Sequence, residues 1–292
     1  MEQIWVPLTL ATAFSIATSD AFAKKALVAH DEYLIAWLRL ALALPFLFLS
    51  LLFVPLPPLD RDFFLASFIA LPFEIIAMIL YIKALKISPL SLTLPFLSLT
   101  PVFLIVVPYL LLGEKVSAAG GAGVLLIAAG SYTLNLKEFR KGISEPFLAI
   151  RKERGSLYMI LVAFIFSFTS TLGKKAIEHS SPVFFGTFYY TVVVLVFAPL
   201  ALRKSGLKVR EIIGSGAVRA SLIPGICHSV VIITHMIAVS MTKVAYMISV
   251  KRLSLLIGVF YGHLLFREPG IGERLAGTML MLAGFVLIVL SH

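Results

Sequence analysis

LLGEKVSAAGGAGVLLIAAG, residues 111–130, and LFREPGIGERLAGTMLMLAG, residues 265–284, decide the fold. Set together at an offset of 154, they match Glu114 with Glu268, Gly123 with Gly277, and Ala129-Gly130 with Ala283-Gly284. Further toward the amino terminus the offset becomes 150. There Ala13 matches Ala163, Phe14 matches Phe164, and Lys24-Lys25-Ala26 matches Lys174-Lys175-Ala176. One pattern therefore occurs twice, from about Ile4 to Leu136 and from about Ser156 to Leu290. Each copy holds about five apolar spans. An odd number means that the second copy enters a bilayer from the opposite side. Inverted repeats of this kind hold a substrate near the membrane midplane in alternating-access transporters.

The composition requires the bilayer. Hydrophobic residues make up 60% of the chain and charged residues 14%, with a mean hydropathy of +1.00. A soluble domain is charged at about a quarter of its positions. Apolar runs of about 17–25 residues cross a bilayer as helices. Ten are legible: 4–25, 34–54, 63–82, 90–112, 117–136, 156–173, 183–202, 220–241, 244–266 and 275–290. The expected fold class is an all-α integral membrane protein, with ten transmembrane helices in two inverted five-helix repeats. Residues 1–136 form the first repeat and 156–292 the second. Residues 137–155 form a basic linker with Lys137, Arg140, Lys141, Arg151, Lys152 and Arg154. No basic region precedes the first span and no short h-region with a cleavage site follows, so that helix is expected to be retained. A single cysteine, Cys227, excludes an intrachain disulfide and an all-cysteine metal site. The net charge of +10 lies mostly in short loops beside spans, which points to retention on one membrane face and not to nucleic acid.

Five Lys and Arg residues fall in the loops on the face that holds both termini, seventeen on the opposite face, and three (Arg39, Lys251, Arg252) inside spans. By the positive-inside rule this count places the termini outside.

The ends of the fourth and ninth spans carry a further pattern. Tyr81-x-x-Ala84-Leu85, Pro101-Val102, Leu112-Gly113-Glu114, Gly120-Gly121 and Ala129-Gly130 occur in order, and Phe266-Arg267-Glu268, Gly277 and Ala283-Gly284 answer them in the second copy. This series resembles the EamA-type repeat of the drug/metabolite transporter superfamily. The resemblance covers nearly the whole chain. It implies ten helices in two inverted repeats, transport of a small polar metabolite or drug, and cytoplasmic termini, the reverse of the charge count. The second copy departs from the pattern: Lys251-Arg252 stand opposite Leu97-Ser98, and Leu255 replaces Pro101.

Ionisable residues inside a span cost about 2.5–3.5 kcal/mol each even on insertion scales, so each needs a partner, water or a function. Glu74 and His228 sit near the middles of spans three and eight and are repeat equivalents at the offset of 154. Lys251, Arg252 and His235 lie about 6–7 Å from the middle of their spans, taking 1.5 Å per helical residue. On a continuous helix Lys251, Ser254 and Gly258 share one face, which offers a cation, a hydroxyl and close backbone access. Arg252 points about 100° away, toward a pairing with Glu74. Arg binds a carboxylate or phosphate through a two-pronged fork and Lys as a point charge. Lys251, Arg252, Ser254, His228, His235 and Glu74 are therefore the candidate substrate-binding residues. His228, His235 and Thr242 recur every seven residues, and histidine relays protons near neutral pH. Asp20 and Arg39 match in depth on adjacent spans and form a candidate structural ion pair or gate. Glu114 and Glu268 are read as interfacial anchors or helix caps. Pro95, Pro101 and Pro108 break span four, which must then line a cavity or a helix interface where freed carbonyls find partners. The glycines of spans five and ten point to close helix packing.

The expected function is a secondary transporter, exporter or importer, of a small polar metabolite that is anionic or zwitterionic. Proton coupling is a candidate driving force. The partners are the small-molecule substrate and the lipid bilayer, with no nucleic acid. The expected location is a prokaryotic cell (inner) membrane, multi-pass. The competing reading is a membrane-embedded enzyme, or a haem or metal electron carrier using His228 and His235. No H-E-x-x-H, G-x-S-x-G or nucleotide loop supports enzyme chemistry, so no catalytic residue, metal or cofactor is expected.

Overall fold

In a computed structural model, residues 3–87, 94–135, 154–266 and 275–291 are described. Among them all regular structure is helical. The chain runs through α1 (Trp5–Ala26), α2 (Glu32–Ala41), α3 (Leu44–Leu51) and α4 (Arg61–Ile87). A 3-10 segment (Leu94–Leu99) then leads into α5 (Thr100–Leu112) and α6 (Ala118–Asn135). The second copy supplies α7 (Arg154–Glu178), α8 (Pro182–Ser205), α9 (Val209–Gly214), α10 (Ala217–Met241), α11 (Val244–Lys251), α12 (Ser254–Phe266) and α13 (Leu275–Leu290). Among the described residues seven helical stretches are long and apolar enough to cross a membrane; Phe96–Leu112, Ala118–Thr133 and Ala276–Leu290 are apolar but shorter. Leu110, Leu195 and Met279 are 71%, 67% and 62% exposed. So many bare apolar side chains suit lipid and not water.

Local chemistry sets the helix ends. Asp31 accepts from the amides of Tyr33 and Leu34 and starts α2. Asp60 accepts from Phe63 and starts α4. Ser181 accepts from Phe184, with Pro182 behind it, and starts α8. Gly113 (φ 71°) and Gly206 (φ 68°) end α5 and α8 in the left-handed conformation that glycine adopts without cost to a side chain.

The structure differs from the expected continuous spans in three places. Span two divides at Leu42–Ala43, where Pro45 removes the amide that would bond the carbonyl of Ala41. Gly225 of α10 packs on this break: a Cβ there would lie 2.6 Å from Leu42 Cβ. In span four, residues 94–99 form the 3-10 segment, with Pro95 in it and Pro101 in the first turn of α5 beyond it. Span nine divides at Arg252–Leu253. There Arg252, Leu253 and Leu255 donate to Ser249, Val250 and Arg252, each a three-residue step in place of the α-helical four. Two further differences are smaller. α7 continues through Lys174 and Lys175, placed in a loop by the hydropathy reading, and α9 occupies a loop. Of the expected linker 137–155, residues 137–153 lie outside the described residues, as do Arg267 and Glu268, while Arg154 and Gly155 already belong to α7.

The chain forms two compact units, Met1–Ser67 with Lys174–Met241 and Leu256–Glu268, and Phe68–Gly173 with Thr242–Leu255 and Pro269–His292. Each draws on both sequence repeats. In the first, α1 lies along α10, and α2 packs on α8 and α10. Ala23, Ala26, Leu34, Ile35, Leu38, Ile212 and Ala217 are buried together there, and Trp37 Nε1 donates to the carbonyl of Val194 at 3.0 Å. In the second, α6 lies along α13. A Cβ at Gly123 would come within 2.7 Å of the Gly284 carbonyl, and one at Gly130 within 2.6 Å of the Gly277 carbonyl. The pairing 123–284 and 130–277 makes the two helices antiparallel.

Candidate functional site

The first unit concentrates polar side chains where α1 meets α10. Thr12 and Thr234 share a hydroxyl hydrogen bond of 2.7 Å, and buried Ser19 donates to the carbonyl of Pro224 at 3.0 Å. Thr18 and Tyr261 of α12 lie 3.0 Å apart. The threonines also donate to their own helices: Thr12 to the Leu8 carbonyl, Thr18 to Phe14 and Thr234 to Val230. Ser221, further along α10, instead has its hydroxyl buried without a hydrogen-bond partner. His228 is buried on α10, edge-on to the Tyr190 ring at 6.3 Å. His235 lies half-buried two turns on. Among the described residues no three His, Cys, Asp or Glu side chains gather as a metal site, so nothing supports the haem or metal reading of these histidines.

Asp20 and Arg39 meet at 2.7 Å, Oδ1 to Nη1. The Asp20 side chain is 61% exposed and that of Arg39 26%, so the pair sits at the rim of the unit. Arg39 Nε is buried without a hydrogen-bond partner.

The second unit holds the other candidates. Glu74 of α4 is half-buried, hydrogen-bonded to the buried Thr169 of α7 and within electrostatic reach of Lys251. The rings of Phe73 and Phe168 meet edge to face at 5.2 Å beside them. The expected division of the basic pair does not hold: Lys251, not Arg252, is the base within electrostatic reach of Glu74. Arg252 instead donates from Nη2 to the backbone carbonyl of Leu97 at 3.2 Å, with Tyr81 in electrostatic reach. The reason is the break in span nine. The angular rule that set Lys251, Ser254 and Gly258 on one face holds for a continuous helix. Here α11 ends at Lys251, and Ser254 opens α12. Gly258 adjoins open space on α12.

Glu114 caps a different helix from the one it follows. Its Oε2 accepts the amide of Val244, the first residue of α11, at 3.0 Å. A carboxylate there also complements the positive end of the helix dipole. Tyr246 on the same helix binds the hydroxyl and amide of Ser117 and lies against Gly120, where a methyl group would overlap it.

One polar cluster escaped the reading of the sequence. In the first unit Asp60 Oδ2 lies 2.6 Å from His179 Nδ1. Asp62 lies 3.7 Å from both His179 Nε2 and Lys175 Nζ. The amide of Phe63 and the His179 ring hold the Asp60 carboxyl below the usual carboxylate range. A cavity of about 290 Å³ opens beside them, lined by Pro58, Leu59, Asp60, Glu178, His179 and Ser180. The signal available was Asp60 directly before a helix start, a capping pattern. Nothing local announced His179.

The arrangement can be set beside known proteins. The model of the EamA-like transporter family matches residues 3–136 and again 153–290. None of the curated proteins matches the chain. A solved structure, described as "Crystal structure of protein", is similar over 100% of this chain and 98% of its own, at 15% identity and a TM-score of 0.73. That likeness concerns the fold alone. Two family matches that together span nearly all of an apolar, helical, multi-pass membrane protein leave one conclusion: the chain belongs to the EamA-like transporter family.

Proposed function

We propose that the protein is a secondary transporter that moves a small anionic or zwitterionic metabolite across a prokaryotic cell membrane by alternating access. In this reading ten spans form two inverted five-helix repeats, 1–136 and 156–292, joined by the basic linker 137–155. The α6–α13 contact supports the inversion. The offset of 154 turns the Gly123–Gly284 contact into Gly277–Gly130, and both contacts are present. A contact that maps onto itself under repeat exchange, between antiparallel helices, is what a two-fold axis in the membrane plane produces.

The observation that carries the substrate class is Lys251 at the end of α11, within electrostatic reach of Glu74, the hydrogen-bond partner of Thr169, at a break in an apolar span. Interrupted membrane helices mark solute sites because their backbone groups and charges need polar company. A Lys beside an acid and a hydroxyl offers one positive and one negative anchor. That pattern suits a carboxylate, or a zwitterion held at both ends. His228 and His235, on α10, are the candidate proton carriers.

The test is thermal unfolding of the purified full-length protein with panels of carboxylates, phosphate esters, zwitterionic amino acids and neutral polyols. Stabilisation by an anionic or zwitterionic class, lost in Lys251→Ala, is the expected result. Stabilisation by neutral solutes alone, or an unchanged response in Lys251→Ala, would reject the reading.

A further inference from the structure

The two repeats have diverged at one position in a complementary way. The 3-10 segment Leu94–Leu99 maps by the offset of 154 onto residues 248–253, which contain the break in span nine. Both fourth spans are therefore interrupted at the same repeat position, and for different chemical reasons. In the first copy Pro101 has no amide hydrogen, so the carbonyl four residues back, that of Leu97, lacks an α-helical donor and is left with only the three-residue bond that the 3-10 segment provides. In the second copy the equivalent residue is Leu255, whose amide is present and bonds Arg252. The residue that reaches the Leu97 carbonyl is Arg252, at 3.2 Å from Nη2. The copy without the proline thus carries a side chain that bonds the very carbonyl the proline deprives.

We propose that Arg252 is a positioning residue: its guanidinium stands in for the amide missing at Pro101 and braces the two helix breaks against each other. A carbonyl exposed at membrane depth needs a donor from protein or water. Arg supplies a planar, permanently charged one at the end of a long stem. With its Nη2 committed to backbone and its Nε buried without a partner, Arg252 leaves the neighbouring Lys251, beside Glu74, as the cation that meets solute. That last clause rests on the transport reading, whereas the brace does not.

A cycle of four full-length proteins tests the brace: wild type, Arg252→Gln, Pro101→Ala and the double variant, compared by Tm in detergent. Arg252→Gln is expected to lower Tm by several degrees when Pro101 is present, and by less than half as much with Pro101→Ala, because an amide at 101 can then serve Leu97. Arg252→Lys should recover part of the loss, since an ammonium still donates. Equal losses in both backgrounds overturn the proposal. Should Arg252→Gln fail to yield folded protein, recovery of monodisperse double variant supports the brace, and failure of both overturns it. The solute panel then separates the two readings. If the double variant keeps the wild-type ligand response that Lys251→Ala loses, Arg252 acts through the backbone. If it loses that response as Lys251→Ala does, Arg252 touches the solute and the proposal falls. A wild type that responds to no solute counts against the transport reading alone, while the Tm cycle still decides the brace.

Discussion

Two antiparallel helix pairs, one in each unit, are closed by opposite chemistry. Along α1 and α10 the contacts are hydroxyls: Thr12 with Thr234 and Ser19 with the Pro224 carbonyl, while Thr18 turns to Tyr261 of α12. Along α6 and α13 they are bare glycines set against carbonyls, flanked by Ile127, Met281 and Ile288. In lipid there is little hydrophobic force between helices, so both pairs rely on close packing and on hydrogen bonds. A glycine pressed on a carbonyl has one workable geometry. A hydroxyl can turn to its own helix and back at small cost, and Thr12 is already placed to bond both Leu8 and Thr234. The dry pair is suited to be a fixed spine, and the polar pair to be a seam that can slip.

The largest effect should come from the spine. A Cβ at Gly284 would stand 2.5 Å from the Gly123 carbonyl and 2.9 Å from Ile127. Gly284→Leu should cost about 3 kcal/mol or more by overpacking and abolish the monodisperse peak in size-exclusion chromatography. Gly258→Ala, into open space, should leave that peak unchanged. Equal tolerance at both sites would remove the spine from the comparison.

The rim pair Asp20–Arg39 should come next. Both side chains are partly exposed, so the coupling is expected at about 1 kcal/mol. Asp20→Asn and Arg39→Gln should each lower stability, and the double variant should cost about as much as either one. Strictly additive losses would show that the 2.7 Å contact contributes nothing.

On the seam itself, Thr12→Val and Thr234→Val should each cost roughly 0.6 kcal/mol, the average for hydrogen bonds between membrane helices. Their effect on stability should be smaller than their effect on uptake rate in proteoliposomes, if the seam slips. Losses as large as at Gly284 would make the two pairs alike and erase the distinction.

The smallest effect belongs to the water-facing start of α4. Contacts from Phe63 and His179 lower the Asp60 carboxyl below its ordinary value, so the stabilisation is complete above about pH 4 and fades as pH falls through the lower folded value. Asp60→Asn should therefore unfold at lower temperature than wild type at pH 7, with the gap narrowing below about pH 4. A gap of constant size from pH 7 to pH 3 would contradict this assignment.

Much of this could be read from the residues in order. Apolar runs announced a multi-pass helical membrane protein, with seven helices of spanning length among the described residues, and the glycines of spans five and ten announced tight packing before their partners were known. Depth on adjacent spans already set Asp20 level with Arg39. Helical angle misplaces Arg252, because angles add only while the helix continues, and the turn at Arg252–Leu253 resets them. Asp60 and His179, 119 positions apart, carried no joint signal.

By itself the sequence determined that this chain spans a bilayer several times and repeats its own pattern. Transfer of a segment into lipid sums residue by residue, and a duplicated pattern keeps its spacing. Only the tertiary structure decided which amide Glu114 caps, which carbonyl Gly123 presses against and which one Arg252 reaches across 155 positions. Those choices depend on how distant segments approach in three dimensions, and a hydrogen bond formed at 3 Å is lost within a further ångström.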